Sequence, residues 1–209
     1  MIFRDDYLTA LRLALATVAA ETHPGKPLRG VYFDFPRGRL IACDRVRVFM
    51  AALPPDADRA LAPRVFFAKN PATGAQARKL PAGWDAVELT LDHPMLRHVR
   101  GGGFPLVALP GDYPVAEVDV LLRARLGALE APNPEANRLY FNPSLLATWA
   151  FGLWPAVTVI GLRPPLDGLL VTFPHLGIPH AALLMGMNGV PADPRTVVGG
   201  LLPPVAAGN

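Results

Sequence analysis

The chain has 209 residues and a mass of 22.4 kDa, enough for one or two domains that each bury a core. Only 18% of residues are charged and the net charge is +3, from 17 Arg and 3 Lys against 17 acids, which excludes a disordered, charge-rich chain. The single cysteine, Cys43, excludes a disulfide scaffold and any CxxC zinc or redox site, and a pI of about 9.3 permits an anionic partner without demanding one.

The first element is a short strand at Ile2 and Phe3. Tyr7, Leu8, Leu11, Leu15 and Val18 then recur at helical spacing with one apolar face. Asp5 and Asp6 suit the start of that helix, where they oppose its dipole. His23-Pro24-Gly25 ends it, and three short β-type runs follow: 28–35, 39–43 and 46–53. The order then repeats. Arg64 to Ala68 reads as a strand, and Asn70-Pro71 opens a short helix that ends near Leu80-Pro81. Strands follow at 87–91, 95–99 and 104–109, with Gly101 to Gly103 as a hairpin turn.

Residues 110–136 carry Leu121, Leu122, Leu126 and Leu129 and read as a domain connector able to contribute a strand. A third unit follows: a strand at 138–141, a helix at 143–153 with Leu145, Leu146, Trp149 and Leu153 on its apolar face, and strands at 157–162, 169–173 and 180–187. Residues 189–209 form a tail rich in Pro, Gly, Val and Ala, ordered only if something docks it. Two stretches without acids, Lys or Arg, 139–162 and 168–192, are broken by Pro and Gly into pieces too short to span a bilayer, and the acids at positions 5 and 6 spoil a signal peptide. The expectation is a cytoplasmic protein that does not enter membranes.

Charge is uneven along the chain. Residues 1–113 hold 15 basic and 11 acidic residues, and residues 114–209 hold 5 and 6, so the whole basic excess is N-terminal.

Chemistry-bearing residues assemble no catalytic constellation. Ser144 lacks a G-x-S-x-G context and reads as a first-turn helix residue. The pairs His93/His98 and His175/His180 lie in strand or turn regions without acids placed to complete a metal site. Gly101 to Gly103 precedes a strand rather than a helix, so it is not a phosphate loop. Neither a catalytic residue nor a cofactor is assigned, and the expectation is a non-enzyme. An enzyme of unrecognised type is the minor alternative.

Local sequence gives the repeated order a family likeness. Leu28-Arg29-Gly30-Val31 followed by Gly38-Arg39-Leu40 looks like an L-x-G-V…G-x-L hairpin, and Cys43-Asp44-Arg45-Val46-Arg47-Val48 is similar to a T-D-x-x-R-L turn with Cys in place of Thr. Ala77 to Pro81 with Val87-Glu88-Leu89, then Phe104-Pro105-Leu106 with Leu109 to Pro114, continue the series. Ala182 to Asn188 resembles a final strand ending in M-P-M-R. In this order, over most of residues 1–188, these segments resemble the bacterial DNA polymerase III β subunit, the sliding clamp.

The resemblance implies an α+β fold of clamp-like strand–helix–three-strand repeats. One full clamp domain at 1–114 is expected, then a connector at 115–136, a partial or degenerate second domain at 137–188, and the tail. It implies a processivity factor that binds duplex DNA non-specifically through phosphate contacts. The matching candidates are Arg4, Arg12 and Lys26 around the first helix, and Lys69, Arg78 and Lys79 around the second. Arg123 and Arg125 read as solvated surface charges. The resemblance further implies a hydrophobic cleft beside the last strand that takes peptides of polymerases or repair proteins, with Met185 and Met187 as the partner-binding residues. Gly186 and Asn188 stand where the family has Pro and Arg. A homo-oligomer follows from the same likeness. The alternative is a clamp-fold interaction module that does not encircle DNA, which the uncharged third helix favours.

Overall fold

The computed structural model describes residues 1–127, 147, 149, 158–162, 168–173 and 176–185. Its elements are β1 (Ile2–Arg4), α1 (Asp5–Thr17), a 3-10 turn (Lys26–Arg29), β2 (Val31–Asp34), β3 (Arg39–Cys43), β4 (Arg47–Ala52), β5 (Arg64–Ala68), β6 (Ala86–Thr90), β7 (Met95–His98), β8 (Gly103–Ala108), α2 (Val115–Gly127), β9 (Thr158–Leu162), β10 (Gly168–Thr172) and β11 (His180–Met185). The described strands form one antiparallel sheet in the order β1-β6-β7-β8-β5-β2-β3-β4-β11-β10-β9.

The first strands of the two leading units trade places. β1 pairs with β6 of the second unit, Ile2 opposite Glu88, while β5 pairs with β2 of the first, Val31 opposite Phe66. The third unit joins at β4, with Leu183 opposite Val48. The free edge of β1 is capped, because the Ile2 amide donates to the Asp56 carboxylate at 2.9 Å. That removes a backbone donor from an edge that could otherwise recruit another strand.

Side-chain alternation in the central strands sends apolar groups to both faces. Leu40, Ala42, Phe49, Ala51, Phe33 and Phe66 face α1, whereas Ile41, Cys43, Val48, Val65, Ala181 and Leu183 face α2. On the α1 side the helix buries Leu8, Ala10, Leu11, Leu13, Ala14, Leu15 and Thr17, so most of its circumference is covered. Trp149 covers part of it: the fully buried indole donates Nε1–H to Thr17 Oγ1 at 2.7 Å, and Thr17 in turn donates to the Leu13 carbonyl. Phe173 meets both Trp149 and Phe49 edge-on, which joins the third unit to the core of the first.

Two expectations are corrected. The segment after Asn70-Pro71 is not a helix. Asn70 Oδ1 accepts from Ala72 and Thr73 as a helix cap would, but Gly74 takes φ +69° and turns the chain back, so Gln76 bridges to Lys69 and the Ala77 amide bonds Ala68. Asn70 caps one turn and Gly74 ends it. The connector, in turn, holds the helix α2 rather than a strand: Val118 and Leu122, four apart, bury against the sheet. The strand at 138–141 and the third helix lie outside the described residues, apart from positions 147 and 149.

Gly30 is fixed by close packing. A Cβ there would stand 2.6 Å from the Phe66 carbonyl oxygen and 2.8 Å from Val65 Cγ1, where β2 begins its pairing with β5. Gly30→Ala is therefore expected to lower stability by about 1–3 kcal/mol in urea denaturation, because the obstacle is backbone that cannot rotate aside.

Candidate nucleic-acid interface

The C-terminal end of α1 is where three chain segments meet. The Ala16 carbonyl, one of the helix's terminal acceptors, takes Arg78 Nη2 at 3.1 Å and Arg47 Nη2 at 3.3 Å. Gln76 Nε2 donates to the carbonyls of Ala19 and Arg29, both at 2.8 Å, and its amide reaches Glu21. These bonds hold the 69–80 segment against the 3-10 turn and the end of α1. At the β3–β4 turn Asp44 accepts from the amides of Val46 and Arg47 and from the Arg47 guanidinium, leaving Arg45 exposed at the tip with φ +72°.

Seven cationic residues gather on these segments: Lys26, Arg29, Arg45, Arg47, Lys69, Arg78 and Lys79. The acids there are Glu21 and Asp44, and Asp44 is committed to Arg47. Lys26, Arg45, Lys69 and Lys79 are exposed, the condition for meeting phosphates at modest desolvation cost. Arg45 was not among the sequence candidates; the Asp44-Arg45 turn that puts it at a hairpin tip was the available signal.

The six sequence candidates do not form one patch. Arg4 stands at the opposite end of α1, about 20 Å away along a helix of 13 residues. It lines a cleft of about 700 Å³ with Asp5, Asp6 and Asp56, an acidic setting. Arg12 lies midway and is turned inward on backbone: its guanidinium donates to the Trp84 carbonyl at 2.6 Å and to those of Pro81 and Ala82 at 3.3 and 3.4 Å. Burial pulls the pKa of Arg12 down, and burial followed by repulsion from Arg47 does the same at Arg78. Both arginines thus pin the 76–84 segment to α1. Lys26, Lys69, Lys79 and the exposed part of Arg78 remain together at the basic end.

The opposite face of the sheet is ordered by Arg39. Its guanidinium donates to both carboxylate oxygens of Asp119 on α2, at 2.6 and 2.9 Å, and to the buried Asp34 at 2.9 Å. The bond to Arg39 is the main cause that holds the Asp119 carboxyl below its ordinary pKa, with Arg37 and Arg123 adding charge. Tyr113, leading into α2, stacks on Tyr32 at 5.0 Å. Its hydroxyl is buried with no hydrogen-bond partner among the described residues, and burial raises its pKa well above the ordinary value. Met185 ends β11 in register with Gly168; Met187 lies outside the described residues.

Among the described residues no group of three His, Cys, Asp or Glu could hold a metal ion, and no helix is long and apolar enough to cross a membrane. No family model and no curated protein matches the sequence. Solved structures do match the fold. The DNA polymerase sliding clamp of Pseudomonas aeruginosa aligns at a TM-score of 0.52 and 15% identity over 90% of this chain and 66% of the clamp. The β subunit of DNA polymerase of Streptococcus pyogenes gives 0.52 and 14% over 90% and 66%, and the sliding clamp of Bacillus subtilis 0.54 and 13% over 91% and 64%. The likeness is one of fold, and the chain spans less than two thirds of the length of these clamps.

Proposed function

We propose that this chain is a non-catalytic, cytoplasmic clamp-fold protein that binds duplex DNA without sequence preference and tethers replication or repair proteins to it. Residues 1–114 supply the leading clamp-like domain, whose second unit lacks its helix, and 137–188 the partial one. The observation that carries the reading is the basic end of α1, where four exposed cations cluster on a fold similar to sliding clamps. Phosphate contacts of this kind release counterions, so affinity falls linearly with salt on a logarithmic scale, by a slope of about −0.9 per contact. Three lysines and Arg45 engaged at once correspond to a slope of roughly −3 to −4. Titration of labelled duplexes of unrelated sequence between about 50 and 200 mM salt tests this. Equal affinities with that slope are expected. No retention at the lowest salt overturns DNA binding.

A second reading, a clamp-fold interaction module that does not encircle DNA, draws on a specific observation. Arg12 and Arg78 are spent on carbonyls, and the second unit offers no helix to line a hole. Few phosphate contacts per chain make duplex binding depend on several copies acting together, so a homo-oligomer is part of the first reading and not of the second. Sedimentation of the free protein separates them: an oligomer accompanies the first, a monomer with no duplex retention the second.

A further inference from the structure

The apolar face opposite α1 is a groove across β3, β4 and β11 that a single helix already occupies. Ile41, Val48 and Leu183 line it, and α2 enters with Val118 and Leu122, one helical turn apart. Asp119, next to the first of these anchors, takes the bidentate bond from Arg39. Two apolar side chains at i and i+4 with a neighbouring charge is the pattern by which an amphipathic helix docks into a groove.

The hold on α2 is slight beside that on α1. Val118 and Leu122 are buried and Val115 and Leu121 partly so, against seven buried residues in α1. Val120 is 69% exposed, so the helix has little second face to protect. Its lead-in follows Gly111 at φ +101°, a turn able to absorb a change of direction.

We propose that α2 is a displaceable occupant of this groove, and that a partner docks by replacing it with its own amphipathic helix, carrying apolar residues at i and i+4 and a carboxylate at i+1 that Arg39 receives. The inference rests on the partner-tethering part of the function proposed above and names the surface and the chemistry of that partner. Arg37, 63% exposed and bonded to the same Asp34 as Arg39, adds positive charge at the rim and favours an acidic partner.

The test uses a labelled peptide of residues 113–127 of this chain, titrated into the full-length protein and into its Asp119→Lys variant. Reversing Asp119 sets a cation against Arg39 and expels the resident helix. The peptide is expected to bind the variant at least tenfold more tightly than the unaltered protein, and the same peptide carrying Asp119→Lys is expected to lose that binding. Hydrogen exchange on the unaltered protein gives a second measurement, with α2 amides exchanging at least tenfold faster than those of β3 and β4. Peptide binding to neither protein, equal binding to both, or α2 amides as slow as β3 overturns the proposal. So does loss of β3 and β4 protection in the variant, which would make α2 an integral part of the core. Duplex retention measured on the same proteins separates the two readings. Retention without peptide binding removes the displaceable helix alone, and peptide binding without retention removes the DNA reading alone.

Discussion

Reversing charge at Lys26, Lys69 and Lys79 together is expected to lower duplex affinity at least about a hundredfold at low salt and to flatten the salt dependence by about three units of slope. All three side chains are exposed, so the fold should survive the change. Each reversal removes an attraction of about 1 kcal/mol even at the dielectric of bulk water and adds a repulsion of similar size. Three such sites exceed the roughly 2.7 kcal/mol that a hundredfold represents. The same substitution at Arg4, which stands among Asp5, Asp6 and Asp56, should leave affinity within about twofold, since the acids already dominate the potential there. Fluorescence anisotropy at two salt concentrations reads both quantities. If Arg4→Glu proved as damaging as the triple change, the contact surface would lie along the whole of α1 rather than at one end.

Trp149→Ala should cost about 3–5 kcal/mol of unfolding free energy, a large share of the 5–15 kcal/mol typical of a domain. The indole is fully buried, meets Phe173 edge-on at 6.2 Å between centroids and lies under the Arg47 guanidinium at 5.8 Å. Trp149→Phe keeps most of that volume and loses the hydrogen bond to Thr17, so it should cost nearer 1–2 kcal/mol. Urea denaturation at constant m-value resolves the two. The difference between them measures packing, and the smaller loss measures the polar link. Should Trp149→Ala cost under about 1 kcal/mol, the third unit would not be part of the cooperative core.

Much of this architecture was legible because strands announce themselves locally. β3 and β5 fall on the residues that alternation and turn chemistry mark out, and the hairpin before β8 turns at Gly101 and Gly102, both at positive φ. The helix expected after Asn70 failed for a reason equally local but of opposite sign. Asn70 caps and Pro71 permits, yet Gly74 reverses, and a start signal carries no information about length. α2 packs Val115, Val118, Leu121 and Leu122 at helical spacing, but the apolar Val120 among them is exposed and blurs the stripe in the sequence. The site divides along the same line. Exposure of Lys26, Lys69 and Lys79 follows from lysine chemistry. The diversion of Arg12 depends on carbonyls 69 to 72 residues away, which no spacing rule foretells.

The exchange of β1 and β5 between units has a consequence for how the chain comes to be folded during synthesis. Met1 bonds Leu89, 88 positions later. At typical elongation rates that partner follows β1 out of the ribosome by roughly ten seconds. Through that interval Phe3, wholly buried in the finished protein, has no neighbour in β6 to cover it. The loop to be closed is also long, so the search for it is slower than that for the hairpins beside it. β1 is therefore among the last strands to settle, and the nascent protein carries an uncovered apolar segment until the second unit arrives to claim it.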